Sequence, residues 1–178
     1  MKIAFTGHRP ESLPFKEGDD AYERFERLLC KEIGLHIQNG YDTFYCGLAR
    51  GADIICGKII LFEKLSGASN LTLICVKPFF DHGKNWGFKW KYDHQTLINR
   101  ADKVECIDLS YRRGSYHARN RYMVDHCDML FAIYDGRPKG GTAYTVEYAR
   151  RKGKKIVILD PQTLELSVIL PQEHIQKK

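Results

Sequence analysis

Two glycine-rich segments, residues 47–53 and 135–142, each lead into a stretch with helical spacing. Free backbone N–H groups and the helix dipole make a helix N-terminus a favourable place for a phosphate. The first segment lacks the G-x-G-x-x-G spacing of the dinucleotide-binding fingerprint. A glycine-rich turn that serves only packing is the alternative there, and it is less favoured because Arg50 lies in the middle of the segment. Two such segments in one small chain favour an anion site, and its predicted ligand-binding residues are Gly47, Arg50, Gly51, Gly140, Gly141 and Thr142.

A third candidate segment, residues 6–10, follows the first apolar strand and contains Gly7, His8 and Arg9. Glycine there lets the backbone approach a ligand closely, and an arginine can bind a phosphate or carboxylate through two parallel hydrogen bonds. An ordinary turn with its basic side chains in water is an equal alternative. His8 has no evident partner in the sequence, so contact with an anion is a more modest role for it than acid–base catalysis.

Arg119 lies on the apolar face of a predicted helix, three, four and eight residues before Tyr122, Met123 and Cys127. This spacing turns its side chain inward, and a buried arginine needs an anionic partner. The partner is either an acidic residue elsewhere in the chain or a phosphate of a ligand. Because the helix begins at the predicted binding edge of the sheet, we favour the ligand and include the neighbouring Asn120 in the site.

These segments need a framework that brings them together. The chain alternates short apolar strands with stretches of helical spacing, which indicates parallel strands joined by crossover helices. The continuous apolar runs at 71–76 and 155–159 are typical of strands covered on both faces. The predicted strands are 2–5, 43–46, 71–76, 103–108, 129–134 and 155–159, and the predicted helices are 22–37, 49–65, one ending near 100, 115–127 and 142–152.

The predicted fold class is α/β: one Rossmann-like three-layer domain, residues 1–178, with a mostly parallel sheet of about six strands. The tail, residues 161–178, is expected to pack as a short capping element. In an open parallel sheet a ligand binds at the carboxyl ends of the strands. The candidate segments lie at that edge, so we expect them to form one site.

Composition and charge narrow the function classes. The net charge of +6 favours anionic partners without naming one. The six cysteines lie in apolar stretches without C-x-x-C spacing and the seven histidines form no H-x-x-x-H pair, so we predict reduced core thiols, no metal site and no cofactor. The start of the chain lacks the apolar region of a signal peptide and no segment is apolar enough to span a bilayer, which predicts a cytoplasmic protein without a membrane partner.

Read together, these segments resemble a known group of proteins. Residues 119–128 and 140–142 are similar to the Arg…Met…Asp…Gly-Gly-x-Gly-Thr-x-x-Glu signature of the LOG phosphoribohydrolases. With residues 6–10 and 47–53 added, the pattern most resembles the YpsA-like family of the SLOG superfamily, which also includes DprA/Smf. The resemblance covers nearly the whole chain to about residue 160. It implies a Rossmann-like sheet and a nucleotide or nucleotide-derived ligand, and it implies no settled reaction.

The chain departs from the LOG signature at the position of the catalytic glutamate. Three residues after Thr142 stands Thr145, which we include among the ligand-binding residues. Glu147 is the nearest acid, but at about 100° per residue it points about 200° away from position 145, and we expect it to pair with Arg151 on the surface. Cleavage of an N-glycosidic bond needs a positioned carboxylate, so no catalytic residue is assigned.

We therefore predict a binding or sensing domain for a nucleotide-like small molecule. A hydrolase or transferase acting on the N-glycosidic bond of nucleotides is the first alternative. Binding of single-stranded DNA, as in DprA, is the second, and it is disfavoured because no compact basic stripe with interleaved aromatic residues is visible. Trp86 and Trp90, with Tyr92 nearby, are candidates for stacking on a base, and simple packing is an equal alternative. A homo-oligomer is compatible with the sequence.

Overall fold

The computed structural model describes residues 1–68 and 70–171. Within these ranges seven strands and five helices form, with a short 3-10 turn at Pro10–Ser12, and none of the helices is long and apolar enough to cross a membrane. The strands are β1 (Lys2–Gly7), β2 (Thr43–Cys46), β3 (Thr72–Phe79), β4 (Lys103–Asp108), β5 (Met129–Ile133), β6 (Lys155–Leu159) and β7 (Leu166–Ile169), and the helices are α1 (Asp20–Gln38), α2 (Ala52–Leu65), α3 (Phe88–Arg100), α4 (Ser115–His126) and α5 (Gly141–Arg151).

The strands form one sheet in the order β4-β3-β2-β1-β5-β6-β7. Strands β1 to β6 pair in parallel, and β7 pairs antiparallel with β6. From β1 the chain builds outward to β4 and then returns to the other side of β1 with β5. The strand order therefore reverses between β1 and β5, and such a switch point opens a crevice at the carboxyl ends of the two strands.

Helices cover both faces of the sheet. On one face α1, α2 and α3 pack over a core that includes Phe25, Ile54 and Leu97. On the other face α4 and α5 pack over a core that includes Met123 and Val146. Every residue of β5 is buried because this central strand is apolar throughout and covered on both sides. The predicted Rossmann-like three-layer α/β fold with a mostly parallel sheet is confirmed.

Three elements differ from the sequence prediction. Strand β3 continues past Pro78. Strand β2 ends at Cys46, opposite Cys75, so the missing N–H of Pro78 interrupts no backbone hydrogen bond to β2. Helix α2 begins at Ala52 rather than at residue 49, since the preceding residues form a turn. The tail adds the seventh strand, β7, where only a capping element was expected, and residues 172–178 of that element lie outside the described residues.

All six cysteines are free. Four of them are buried and Cys30 is half-buried, whereas Cys106 is exposed. The prediction of a core thiol is therefore wrong for Cys106. This residue lies on the edge strand β4, which has a neighbouring strand along only one of its two edges. Across residues 1–68 and 70–171, no group of three or more His, Cys, Asp or Glu side chains comes together in a way that could hold a metal ion.

Candidate functional site

A cavity opens at the switch point, over the carboxyl ends of β1 and β5. Its volume is about 270 Å³, close to the lower end of the range for small-molecule sites. The predicted site residues that line it are Gly7, His8, Arg9, Arg119, Asn120, Gly140, Gly141 and Thr142. The other lining residues are Thr6, Glu11, Ser12, Ala49, Asp53, Tyr116, Arg137 and Lys139.

Arg119 reaches the cavity from the second turn of α4 and is only 4% exposed. Its Nη1 donates to the carbonyl oxygen of Gly47 and lies 3.2 Å from Oδ2 of Asp53. Burial raises the pKa of Asp53, although the guanidinium of Arg119 acts in the opposite direction. The Nε of Arg119 has no hydrogen-bond partner among the described residues. The buried arginine therefore has an acidic partner within the chain, and it lines the cavity as well.

The first glycine-rich segment makes room for this arrangement. A Cβ at Gly47 would collide with the guanidinium of Arg119. Gly51 has a φ of +90°, which favours glycine, and a Cβ there would lie 2.6 Å from the carbonyl oxygen of His8. A Cβ at Gly7 would collide with the first residue of α2. Gly47 and Gly51 lie outside the cavity lining, so the structure fits the packing alternative at these two positions.

The second glycine-rich segment opens into the cavity. Gly140 has a φ of +116°, and a Cβ at Gly140 or Gly141 would meet no atom within 4 Å. The first backbone bond of α5 runs from the N–H of Tyr144 to the carbonyl oxygen of Gly140. The N–H groups of residues 141–143 donate to no acceptor in the described part of the chain. An anion in this corner would meet free N–H groups and the positive end of the helix dipole.

Thr145, which occupies the position of the LOG glutamate, is fully buried and does not line the cavity. Its hydroxyl donates to the carbonyl oxygen of Gly141 at 2.8 Å and accepts a hydrogen bond from Nδ2 of Asn120 at 2.7 Å. Both partners line the cavity. The side chain of Thr145 therefore joins α4 to α5 behind the cavity wall.

Comparison with known proteins places the chain in a family. The family model YpsA, described as the YspA SLOG family, matches residues 3–164. The chain belongs to this family. A UPF0398 protein of Bacillus cereus (strain B4264) is 24% identical over 155 residues, which cover 85% of this chain and 84% of the relative. A UPF0398 protein of Bacillus thuringiensis (strain Al Hakam) is 23% identical with the same coverage. The resemblance inferred from the sequence motifs is confirmed.

In this SLOG-family chain His8 has a partner that the sequence did not reveal. Its Nε2 lies 2.8 Å from Oδ1 of Asp135, which follows β5. The Nε of Arg137 donates to both carboxylate oxygens of Asp135 at 3.0 Å. This hydrogen bonding from Arg137 holds the pKa of Asp135 well below its usual range, so the carboxylate is ionised at neutral pH. A charged carboxylate therefore orients the imidazole at the wall of the cavity.

Two further residues considered in the sequence lie outside the cavity of this SLOG-family chain. Arg50 does not line the cavity, and its guanidinium is paired with Glu11 at 2.8 Å. Glu147 is exposed, and its carboxylate lies 3.6 Å from Arg150. The predicted pair of Glu147 with Arg151 is therefore wrong, and the carboxylate lies on the surface of α5, away from the cavity.

Several residues of the cavity were missed in the sequence. Asp53, Arg137 and Lys139 belong to the two glycine-rich segments, and Asp135, the partner of His8, begins the second of them without lining the cavity. Arg137 and Lys139 lie in the loop that follows β5, and this position is the signal by which they could have been included, whereas Asp53 is the second residue of α2 and carries no such signal. Tyr116 carries no such signal, because it is uncharged and lies in the first turn of α4, outside the glycine-rich segments.

Proposed function

We propose that this chain is a binding domain for a phosphate-bearing, nucleotide-like ligand. The observation that best supports this function is the cavity at the switch point, where the start of α5 presents free backbone N–H groups beside Arg137 and Lys139. In open parallel sheets the ligand crevice lies at such a point. The phosphate group of the ligand then lies at the start of α5, as phosphates do at other helix N-termini.

The charges around the cavity also favour an anion. Four basic side chains line the cavity, against two acidic ones. The acidic side chains of Asp53 and Glu11 are each paired with an arginine. Arg9 and Lys139, by contrast, form no ion pair within residues 1–68 and 70–171. The remaining charge in the cavity is therefore positive, and it suits a phosphate monoester.

Gly141 offers a direct test, because it is helical and a Cβ there would meet no atom within 4 Å. The variant Gly141→Asp adds a carboxylate to the first turn of α5, where the helix dipole stabilises it and where it repels a phosphate. Gly141→Asn is the matched neutral control, since its side chain has almost the same shape. By calorimetry we expect adenosine 5′-monophosphate to bind the wild type and the Asn variant, and the Asp variant to lose this binding.

Two controls separate a lost site from a lost fold. Both variants should melt at or above the wild-type temperature, because replacing a helical glycine favours the helix. Adenosine, which lacks the phosphate, should bind all three proteins weakly. Equal affinity of the Asp and Asn variants for the monophosphate, or equal affinity of the wild type for adenosine and its monophosphate, would contradict the proposed function.

A nucleotide N-glycosidase is the second candidate, because one buried carboxylate, that of Asp53, lines the cavity. A carboxyl group whose pKa is raised by burial is suited to general acid–base catalysis. Its ion pair with Arg119 favours a structural role instead. Chromatography distinguishes the two: release of free base from adenosine 5′-monophosphate that is abolished by Asp53→Asn would support the enzyme, and no release by the wild type would exclude it for this substrate.

A further inference from the structure

A cluster of aromatic rings closes one side of the cavity. Tyr116, in the first turn of α4, lines the cavity and packs edge-to-face against Phe79 and His82, with ring centroids 5.8 Å apart in both pairs. Tyr111 lies 6.3 Å from it on another side. Burial, together with the charge of Arg119, lowers the pKa of His82 to about 2, so this neighbour is an uncharged ring. The cluster therefore forms a neutral, packed wall beside a polar cavity.

Of the Trp, Tyr and Phe residues that the structure describes, Tyr116 is the one that lines the cavity. Trp86 and Trp90, which the sequence suggested as stacking residues, do not line it, and Trp86 packs against His82 with ring centroids 4.8 Å apart. The guanidinium of Arg9 lies 5.9 Å from the centre of the Tyr116 ring, so this ring already carries a planar partner. Arg9 is exposed and forms no ion pair within residues 1–68 and 70–171, so no salt bridge opposes a shift of its guanidinium to the outer face of a planar ligand group.

The aromatic wall and the start of α5 both line the cavity and adjoin different strands of the sheet. Phe79, which supports Tyr116, ends β3, whereas residues 140–142 follow β5. Strands β2 and β1 lie between β3 and β5 in the sheet, so the strand that supports Tyr116 and the strand that leads into α5 are about three strand spacings apart, roughly 14 Å. A nucleotide is an elongated molecule with charge at one end and a flat ring at the other, and it matches a cavity whose anion-binding and aromatic sides are apart.

We propose that Tyr116 stacks on the base of a nucleotide whose phosphate binds at the start of α5. The inference rests on the proposed function and adds the nucleobase to the part of the ligand that is recognised. Stacking on an aromatic ring tolerates any base, because every base has a π-face. Ribose 5-phosphate, which has the phosphate but no base, should therefore bind the wild type more weakly than adenosine 5′-monophosphate does.

The test compares these two ligands by calorimetry on variants of the aromatic cluster. Tyr116→Ala should weaken binding of the nucleotide by about 5- to 150-fold and leave the affinity for ribose 5-phosphate unchanged. Tyr116→Phe, which keeps the ring, should retain both affinities. Tyr111→Ala is the matched control, because Tyr111 belongs to the same cluster but is 64% exposed and does not line the cavity. It should leave both affinities unchanged.

The outcomes separate the two proposals. If the wild type binds neither ligand, the proposed function fails and the stacking inference fails with it. The phosphate site stands and base stacking is overturned if the wild type binds both ligands equally, if Tyr116→Ala weakens both to the same extent, or if Tyr111→Ala matches Tyr116→Ala. Should Tyr116→Ala not fold, Tyr116→Leu takes its place with the same expected loss, because leucine keeps the apolar bulk without the aromatic face.

Discussion

The buried pair of Arg119 and Asp53 should respond unequally to the loss of its two partners. Arg119→Met leaves a carboxylate buried without a countercharge. Asp53→Asn replaces the carboxylate with a neutral amide of the same shape, whose oxygen still accepts hydrogen bonds. Because burial raises the pKa of Asp53, the folded state favours the neutral form of this side chain. We therefore expect Arg119→Met to be more destabilising than Asp53→Asn, although the Asn variant leaves the guanidinium of Arg119 buried without its countercharge.

The expected magnitudes follow from the burial of both side chains, each 4% exposed. Removing one partner of a buried ion pair costs about 3–5 kcal/mol, which for a chain of this length lowers Tm by roughly 6–20 °C. Asp53→Asn should cost less than this at neutral pH, because the folded state already favours the neutral form of this side chain. The folded-state pKa of Asp53 lies above its unfolded value of 3.8. The contribution of this group to the free energy of unfolding of the wild type is therefore fully present below pH 3.8, and it is lost as the pH rises through the folded-state pKa. The Asn variant does not titrate, so it gains relative to the wild type over that window.

Urea unfolding of the wild type, the two single variants and Asp53→Asn/Arg119→Met measures these differences. The double variant should recover most of the loss seen in Arg119→Met, because no charge then stays buried without a partner. It is also the variant in which to measure nucleotide binding, since its fold persists, and we expect the binding to be lost. Additive losses in the double variant, equal losses in the two single variants, or undiminished nucleotide affinity in the double variant would refute the reasoning.

Three further predictions follow from the packing, the cavity and the thiols. Gly7→Ala should destabilise the fold by about 1–3 kcal/mol, because its methyl group would collide with Ala52. Gly34→Ala, in the open part of α1, should instead stabilise the fold by about 0.5–1 kcal/mol. Urea unfolding of both variants measures this difference. The purified protein should release base from nucleoside monophosphates about 10²–10³-fold more slowly than an enzyme with the LOG glutamate, because Thr145 supplies no carboxylate. Chromatography of the free base measures this rate. Release of base as fast as by an enzyme with that glutamate would contradict the prediction. Thiol titration should find six free thiols in the unfolded protein, and Cys106 should react fastest in the native protein. Elemental analysis should find no zinc, and stoichiometric zinc would contradict the prediction of no metal site.

Local sequence pattern determined the elements of this chain and the approximate position of its site. Strands and helices follow from the period of apolar residues and from glycine at helix ends, which are properties of neighbouring residues. The burial of Arg119 follows in the same way from spacing within one helix. The prediction that residues 140–142 bind an anion rests in the same way on glycine at the start of a helix. Because parallel strands end at one edge, the sheet type by itself predicted where these segments lie.

Only the tertiary structure decided which side chains are partners and which glycines face open space. Arg119 and Asp53 are 66 residues apart in the chain, and His8 and Asp135 are 127 apart. These contacts depend on the strand order, which brings β5 beside β1, and no local period encodes that order. The role of a glycine such as Gly47 depends equally on what lies opposite its missing Cβ, and here that is a guanidinium from a helix far along the chain.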